Sequence, residues 1–179
     1  PVRYHEAVID HPYIDEVVDC RTVDKYDYMI SFNTTSACTR HELSVAPFAD
    51  KHRSDIWANH CGIYIDDHDM HIRIDPEERA KAKRRLLQLK GNHEGPTVCL
   101  CPISAMIAKN LLKHQMEAVI DAVEERGGWT FALHSQPVTE LADRGVPTVH
   151  GLSIRQWMAT LDVADYVVTV DTAAFHLAG

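Results

Sequence analysis

Three short stretches in the second half of this 179-residue sequence combine residue types that could hold a phosphorylated ligand. The first contains Pro102, Ser104 and Lys109, spaced P-x-S-x4-K between an apolar run and a helical pattern. A hydroxyl, open backbone N–H groups and an ammonium at a helix N-terminus together make an anion site. Its plain alternative is that Ser104 only caps the helix and Lys109 is a solvated surface residue, and the loop taken alone favours that reading. The second stretch, His134 to Glu140, offers Thr139 and Glu140. A carboxylate there can accept both hydroxyls of a ribose; a simple helix-start acid explains it equally well. The third is Val170-Asp171-Thr172-Ala173-Ala174-Phe175-His176. An apolar strand runs straight into Asp-Thr, and Ala173 and Ala174 leave backbone N–H groups open to a diphosphate. Thr172 adds a hydroxyl, and His176 lies one turn on, on the helix face shared with Thr172. A capping aspartate and a core histidine would explain this stretch in isolation. In combination with the lysine loop it points to a diphosphate.

These stretches need elements to position them. Thr97 to Cys101 is a short apolar, β-branched run and predicts a strand. From Asn110 to Arg126 the residues Leu111, Leu112, Met116, Val119, Ile120 and Val123 fall near helical spacing, and Gly127-Gly128 ends the pattern. Trp129 to Leu133 predicts a second strand, Val138 to Asp143 a short helix, and Val146 to Val149 a third strand. Ser153 is a suitable N-cap for a helix through Leu161, with Ile154, Trp157, Met158 and Leu161 inward. Tyr166 to Val170 is a near-continuous apolar run, as buried parallel strands are. Strands alternating with helices imply a parallel sheet with right-handed crossovers. All three loops then fall at the carboxyl ends of the strands, the edge where open α/β sheets bind ligands.

The first half is less regular. Glu16 to Asp19 and Tyr28 to Phe32 read as strands, and Asp55 to Cys61 as a helix stopped by Gly62. Asp75-Pro76-Glu77-Glu78 is a strong helix start, with an N-cap acid, proline in the first turn and acids beside it. That helix runs to about Leu89, with Lys81, Lys83, Arg84 and Arg85 on its wet face and Leu86 and Leu89 inward. The polar, glycine-bearing stretch Lys90 to Pro96 suits a link. The implied layout is residues 1–68 as the latter part of one domain, 69–95 as link and helix, and 96–179 as a second domain. Both ends read as cut: the chain opens on Pro1 and closes at Gly179, just inside a helix.

Composition narrows the function classes. The chain is 45% hydrophobic and 25% charged, an ordinary balance for a globular protein with a real core. A formal net charge of −8 argues against a nucleic-acid partner, which wants a basic face. No apolar run reaches the length of a membrane span. The five cysteines, Cys20, Cys38, Cys61, Cys99 and Cys101, lack C-x-x-C spacing and read as free buried thiols in a reducing cytoplasm. Asp66, Asp67, His68, Asp69 and His71 match no metal-ligand spacing, and alternate strand residues would splay them to opposite faces. Thr34, Thr35, Ser36, Thr39 and Arg40 follow a predicted strand and could touch a sugar acceptor; a hydroxyl-rich turn is at least as good a reading. His52 and Arg53 could read an anionic acceptor, against a solvated helix start.

Pro102 to Lys109, followed by a helix and then by Leu152 to Ala178 with its D-T-x-x-x-H-L-A ending, resembles glycosyltransferase family 9, the lipopolysaccharide heptosyltransferases. His11-Pro12 with Ile14-Asp15-Glu16-Val17, His52-Arg53-Ser54-Asp55 with Gly62, and Pro76-Glu77-Glu78 are similar to the family's earlier segments in the same order. The resemblance implies an α/β protein of two Rossmann-like domains of GT-B type, here with the first domain and the end of the second truncated. It implies inverting, metal-independent transfer of a heptose-like sugar from a nucleotide-diphosphate donor to a glycan or lipopolysaccharide-core acceptor, with no cofactor. Lys109 would neutralise the leaving diphosphate. Ser104, Thr172, Ala173 and Ala174 would hold phosphate oxygens, Asp171 and His176 would shape their loop, and Glu140 or Thr139 would meet the ribose. The family's glycine after Asp-Thr is replaced by Ala173, and its aspartate general base would lie upstream of Pro1. The implied location is cytoplasmic, with a peripheral contact at the inner membrane as a further option. A non-catalytic nucleotide-binding or structural fragment derived from such a transferase is the alternative reading. Another GT-B enzyme, a nucleotide-sugar epimerase or a transferase acting on modified DNA bases, is a third.

Overall fold

The computed structural model describes residues 6–8, 10–17, 34–68 and 70–178. They belong to two compact units, one formed by residues 71–178 with the described part of 1–17, the other lying within Val18–Met70.

The first unit is built on four parallel strands: β1 (Thr97–Cys101), β2 (Trp129–Leu133), β3 (Thr148–Val149) and β4 (Tyr166–Thr169). Their order across the sheet is β3-β2-β1-β4. β1 is buried along its whole length because both of its faces are apolar. Cys99 and Cys101 join Phe131, Leu133 and Leu161 on one side. Leu100 joins Ala132, Met116 and Ile120 on the other. Period-two alternation thus divides one short run between two cores. Helix α4 (Lys113–Glu124) supplies Met116 and Ile120, and α5 (Ile154–Asp162) supplies Leu161.

Several elements differ from the sequence expectation, each for a physical reason. The helical pattern from Asn110 begins as a helix only at Lys113, because Leu111 donates its N–H back to the Pro102 carbonyl at 2.9 Å and holds the preceding residues in a loop. The expected helix from Val138 to Asp143 is a 3-10 helix over Thr139–Arg144, stopped by Gly145 at φ 66°. β4 reads as a buried central strand yet is outermost in the described sheet, and Tyr166 is 63% exposed. An apolar run reports what covers the faces of a strand, not how many strands flank it.

Helix α3 (Pro76–Lys90) starts as its sequence dictates: Asp75 accepts from the Glu77 N–H at 2.7 Å, and Glu78 accepts from the Asp75 N–H at 3.2 Å. The stretch read as an interdomain link packs into the sheet unit, with Leu86 in the Cys99–Phe131 core and Ala82 buried beside it. Leu89, expected inward, is exposed. Two forked ion pairs fix α3 on α5. Arg79 donates to Asp162 at 2.6 and 2.8 Å, and Arg155 donates to Glu78 at 3.1 and 2.6 Å.

In the second unit, α1 (Thr34–Val45) and α2 (Arg53–Cys61) pack Ala37, Cys38 and Ile56 together. The hydroxyl-rich turn expected from Thr34 is helix instead. Gly62, at φ 71°, ends α2 in the left-handed conformation its sequence position calls for. Glu16 and Val17 lie outside any strand, while Asp19 and the expected strand Tyr28 to Phe32 fall outside the described residues.

Candidate functional site

The chain returns past β1 when it forms β4, so the strand order reverses between these two neighbours. In open parallel sheets the loops leaving such a reversal diverge and open a crevice. From β1 the chain passes Pro102 into a compact loop. Asn110 Oδ1 accepts the Ser104 N–H at 2.7 Å, and the Ser104 hydroxyl both accepts from the Met106 N–H and donates to its carbonyl. Ser104 therefore organises the loop and caps no α-helix. Lys109 closes a 3-10 turn four residues before α4, not at the helix N-terminus the sequence suggested. Asn110 is the organising residue that sequence reading passed over; an amide next to the lysine was its only signal.

From β4 the ladder extends one step beyond the strand, Val170 N–H to Cys101 carbonyl at 3.2 Å. Asp171 follows at once, and its carboxylate meets the ammonium across the reversal: Lys109 Nζ donates to Asp171 Oδ2 at 2.5 Å. The Asp171 Oδ1 atom is 3.9 Å from His176 Nε2. All three side chains are reachable from solvent, at 40% for Lys109, 64% for Asp171 and 59% for His176. Thr172 accepts the Ala174 N–H at 3.2 Å and contacts the Thr169 hydroxyl at 3.3 Å. It thereby caps α6 (Ala173–Ala178). The Ala174 N–H, expected to be open, is thus engaged, and Ala174 itself is fully buried against the sheet. Ala173 at the helix start is exposed.

Thr139 and Glu140 sit one strand further along, after β2, exposed on the first turn of the 3-10 helix and 3.4 Å apart. That helix is held to α4 by Arg144 with Asp121 and Glu124, and by Lys113 with Asp143. These five charges being committed to each other leaves Glu140 as the carboxylate at the loop's leading edge.

The acceptor candidates lie in the other unit. Arg53 grips Glu42 at 2.6 and 3.2 Å, and this hydrogen bond holds the Glu42 carboxyl below its ordinary range. His52 caps α2, its Nδ1 accepting from the Ser54 N–H at 3.3 Å. Its ring stands edge-on to His68, which bonds Asp55 at 2.8 Å. Arg40 is exposed on α1, and the side chains of Thr34 and Thr35, like Asp69, fall outside the described residues. Among the described residues no three His, Cys, Asp or Glu side chains gather as metal ligands would. Among them too, no helix is long and apolar enough to cross a membrane.

The sequence model of glycosyltransferase family 9, the heptosyltransferases, matches residues 40–179. The chain belongs to this family. A solved structure of a family 9 glycosyl transferase from Veillonella parvula DSM 2008 superposes on it with a TM-score of 0.60 at 16% identity. The superposition covers 73% of this chain and 41% of that one, so this family 9 chain spans about two fifths of its neighbour's length. At such identity the likeness speaks for the fold, an α/β architecture with a parallel sheet. No curated protein matches. The residues matched to family 9 include Lys109, Asp171, Thr172 and His176 together with α2 and the part of α1 from Arg40 onward.

Proposed function

We propose that this chain carries the donor-binding site of a family 9 glycosyltransferase, which moves a heptose-like sugar from a nucleoside-diphosphate donor to a glycan of the lipopolysaccharide-core type with inversion and without a metal. The observation that supports it most is the meeting of Lys109 with the Asp171-Thr172 loop at the reversal in strand order. An ammonium there faces the growing negative charge on a departing diphosphate, and such charge stabilisation acts where the transition state differs most from the substrate. The Ala173 N–H and the Thr172 hydroxyl add neutral donors on the β4 side, and Ser104 fixes the loop that presents Lys109. Glu140, one strand over, would accept ribose hydroxyls. A lysine supplies here the charge that magnesium supplies in many phosphoryl sites.

Calorimetric titration of the chain with ADP and with ADP-linked and UDP-linked sugars tests this reading. Lys109→Ala should weaken binding by about 10- to 100-fold, the range for loss of a charge-assisted hydrogen bond. EDTA should leave the affinity unchanged. Binding that disappears in EDTA and returns with magnesium would mean that a metal, and not Lys109, carries the phosphate charge.

A further inference from the structure

We infer that Asp171 is a resident competitor for the anion position: its carboxylate occupies the Lys109 ammonium until a diphosphate displaces it, and His176 then takes the carboxylate over. This rests on the reading of Lys109 as the cation for a diphosphate.

The geometry has three parts. One carboxylate oxygen, Oδ2, is bound to Lys109 Nζ at 2.5 Å, and so stands where a phosphate oxygen would. The other, Oδ1, is 3.9 Å from His176 Nε2, just beyond hydrogen-bond reach. A rotation of the Asp171 side chain can therefore exchange one partner for the other while the backbone stays where the Val170 to Cys101 hydrogen bond holds it. The His176 ring is steadied by an edge-on contact with Phe175, with centroids 5.4 Å apart.

Charge and exposure set the direction of exchange. An ion pair whose members are 40% and 64% exposed is held weakly, because water screens it and competes for both ends. A diphosphate brings more charge and several acceptor oxygens to the same ammonium, so it wins the lysine. The freed carboxylate would then face the incoming anion at close range, and like charges repel. Turning toward His176 removes it from that position. Without ligand, the pair keeps Lys109 oriented across the reversal and keeps weaker anions off it.

Inorganic pyrophosphate is the suitable probe because it has no sugar for Asp171 to bind directly. Calorimetry on the 179-residue chain at one fixed pH and ionic strength, with circular dichroism to confirm that each variant is folded, gives the readout. Asp171→Asn should bind pyrophosphate about 2- to 5-fold more tightly than the unmodified chain, the amide being a poor rival for the ammonium. Asp171→Ser should shift in the same direction. His176→Ala should weaken binding by a similar factor in the chain that has Asp171, and should change nothing in the Asp171→Asn background. Equal or weaker binding by Asp171→Asn overturns the inference. So does a His176→Ala loss that persists with Asn at 171, since the imidazole would then touch the phosphate itself. If Lys109→Ala binds pyrophosphate as well as the unmodified chain, the anion site is misassigned, a failure distinct from that of the hand-over.

Discussion

Cys99 and Cys101 point to the same side of β1 with their sulfurs 3.7 Å apart, in contact and unbonded. Residues two apart on a strand project in parallel, and a disulfide needs its sulfurs at about 2 Å with the side chains turned toward each other. The hydrogen bond with Cys101, and after it burial, push the Cys99 thiol far above its ordinary range, so it stays protonated and unreactive. Thiol titration of the denatured, unreduced chain should therefore return all five cysteines as free. A count of three would contradict it. Thr172 is a second residue with a separable role: its hydroxyl receives the Ala174 N–H. Thr172→Ala should lower stability by about 1 kcal/mol through loss of that cap, and Thr172→Ser should restore most of it in a urea melt. Lys109 and Asp171 could be picked out of the sequence because charged residues at strand ends have few structural duties. Their pairing could not, since they are 62 positions apart and only the sheet brings them together.

At the level of the element, α3 and α5 are joined by two arginines reading two carboxylates. The Arg155 to Glu78 pair is the more enclosed, with Arg155 only 11% exposed and its Nη1 buried without a partner. The hydrogen bond from Arg155 lowers the Glu78 pKa from the ordinary 4.5, so the pair's contribution is complete above that value and is lost as pH falls through the lowered one. Glu78→Gln leaves Arg155 enclosed without a counter-charge. It should cost about 2–3 kcal/mol at neutral pH, below the range for fully buried pairs because Glu78 is 28% exposed. The gap in urea midpoint between Glu78→Gln and the unmodified chain should stay constant from pH 7 to 5 and close below pH 4.5. A gap that widens in acid would mean the pair is not a source of stability. In the core between sheet and α4, Ile120→Ala should cost about 2–5 kcal/mol, since this side chain is fully buried. Helix starts such as Asp75-Pro76 and Ser153 could be read directly because their signals are local, a cap and its reciprocal partner within four residues. The delayed start of α4 could not, because a hydrogen bond back to Pro102 decides it.

At the scale of the molecule, the alternation of strand and helix announced a parallel sheet, but it is silent on which flank of β1 receives β4. That choice brings Lys109 to Asp171, and it also bears on the order of assembly. β1 and β2 join through one crossover, whereas Val98 meets Tyr166 only after two further strands and their helices have intervened. The entropic toll of closing that larger loop makes β4 the natural late arrival. β4 is outermost among the described strands and is incompletely covered, so its amides should exchange with deuterium sooner than those of β1. A diphosphate spanning Lys109 and the loop after β4 would then act as a rivet on this strand. At a hundred times its Kd, pyrophosphate should add about 2.7 kcal/mol to global stability, and the slowing of exchange should be concentrated in Tyr166–Thr169. A bound diphosphate would thus double as a clamp that holds β4 against β1.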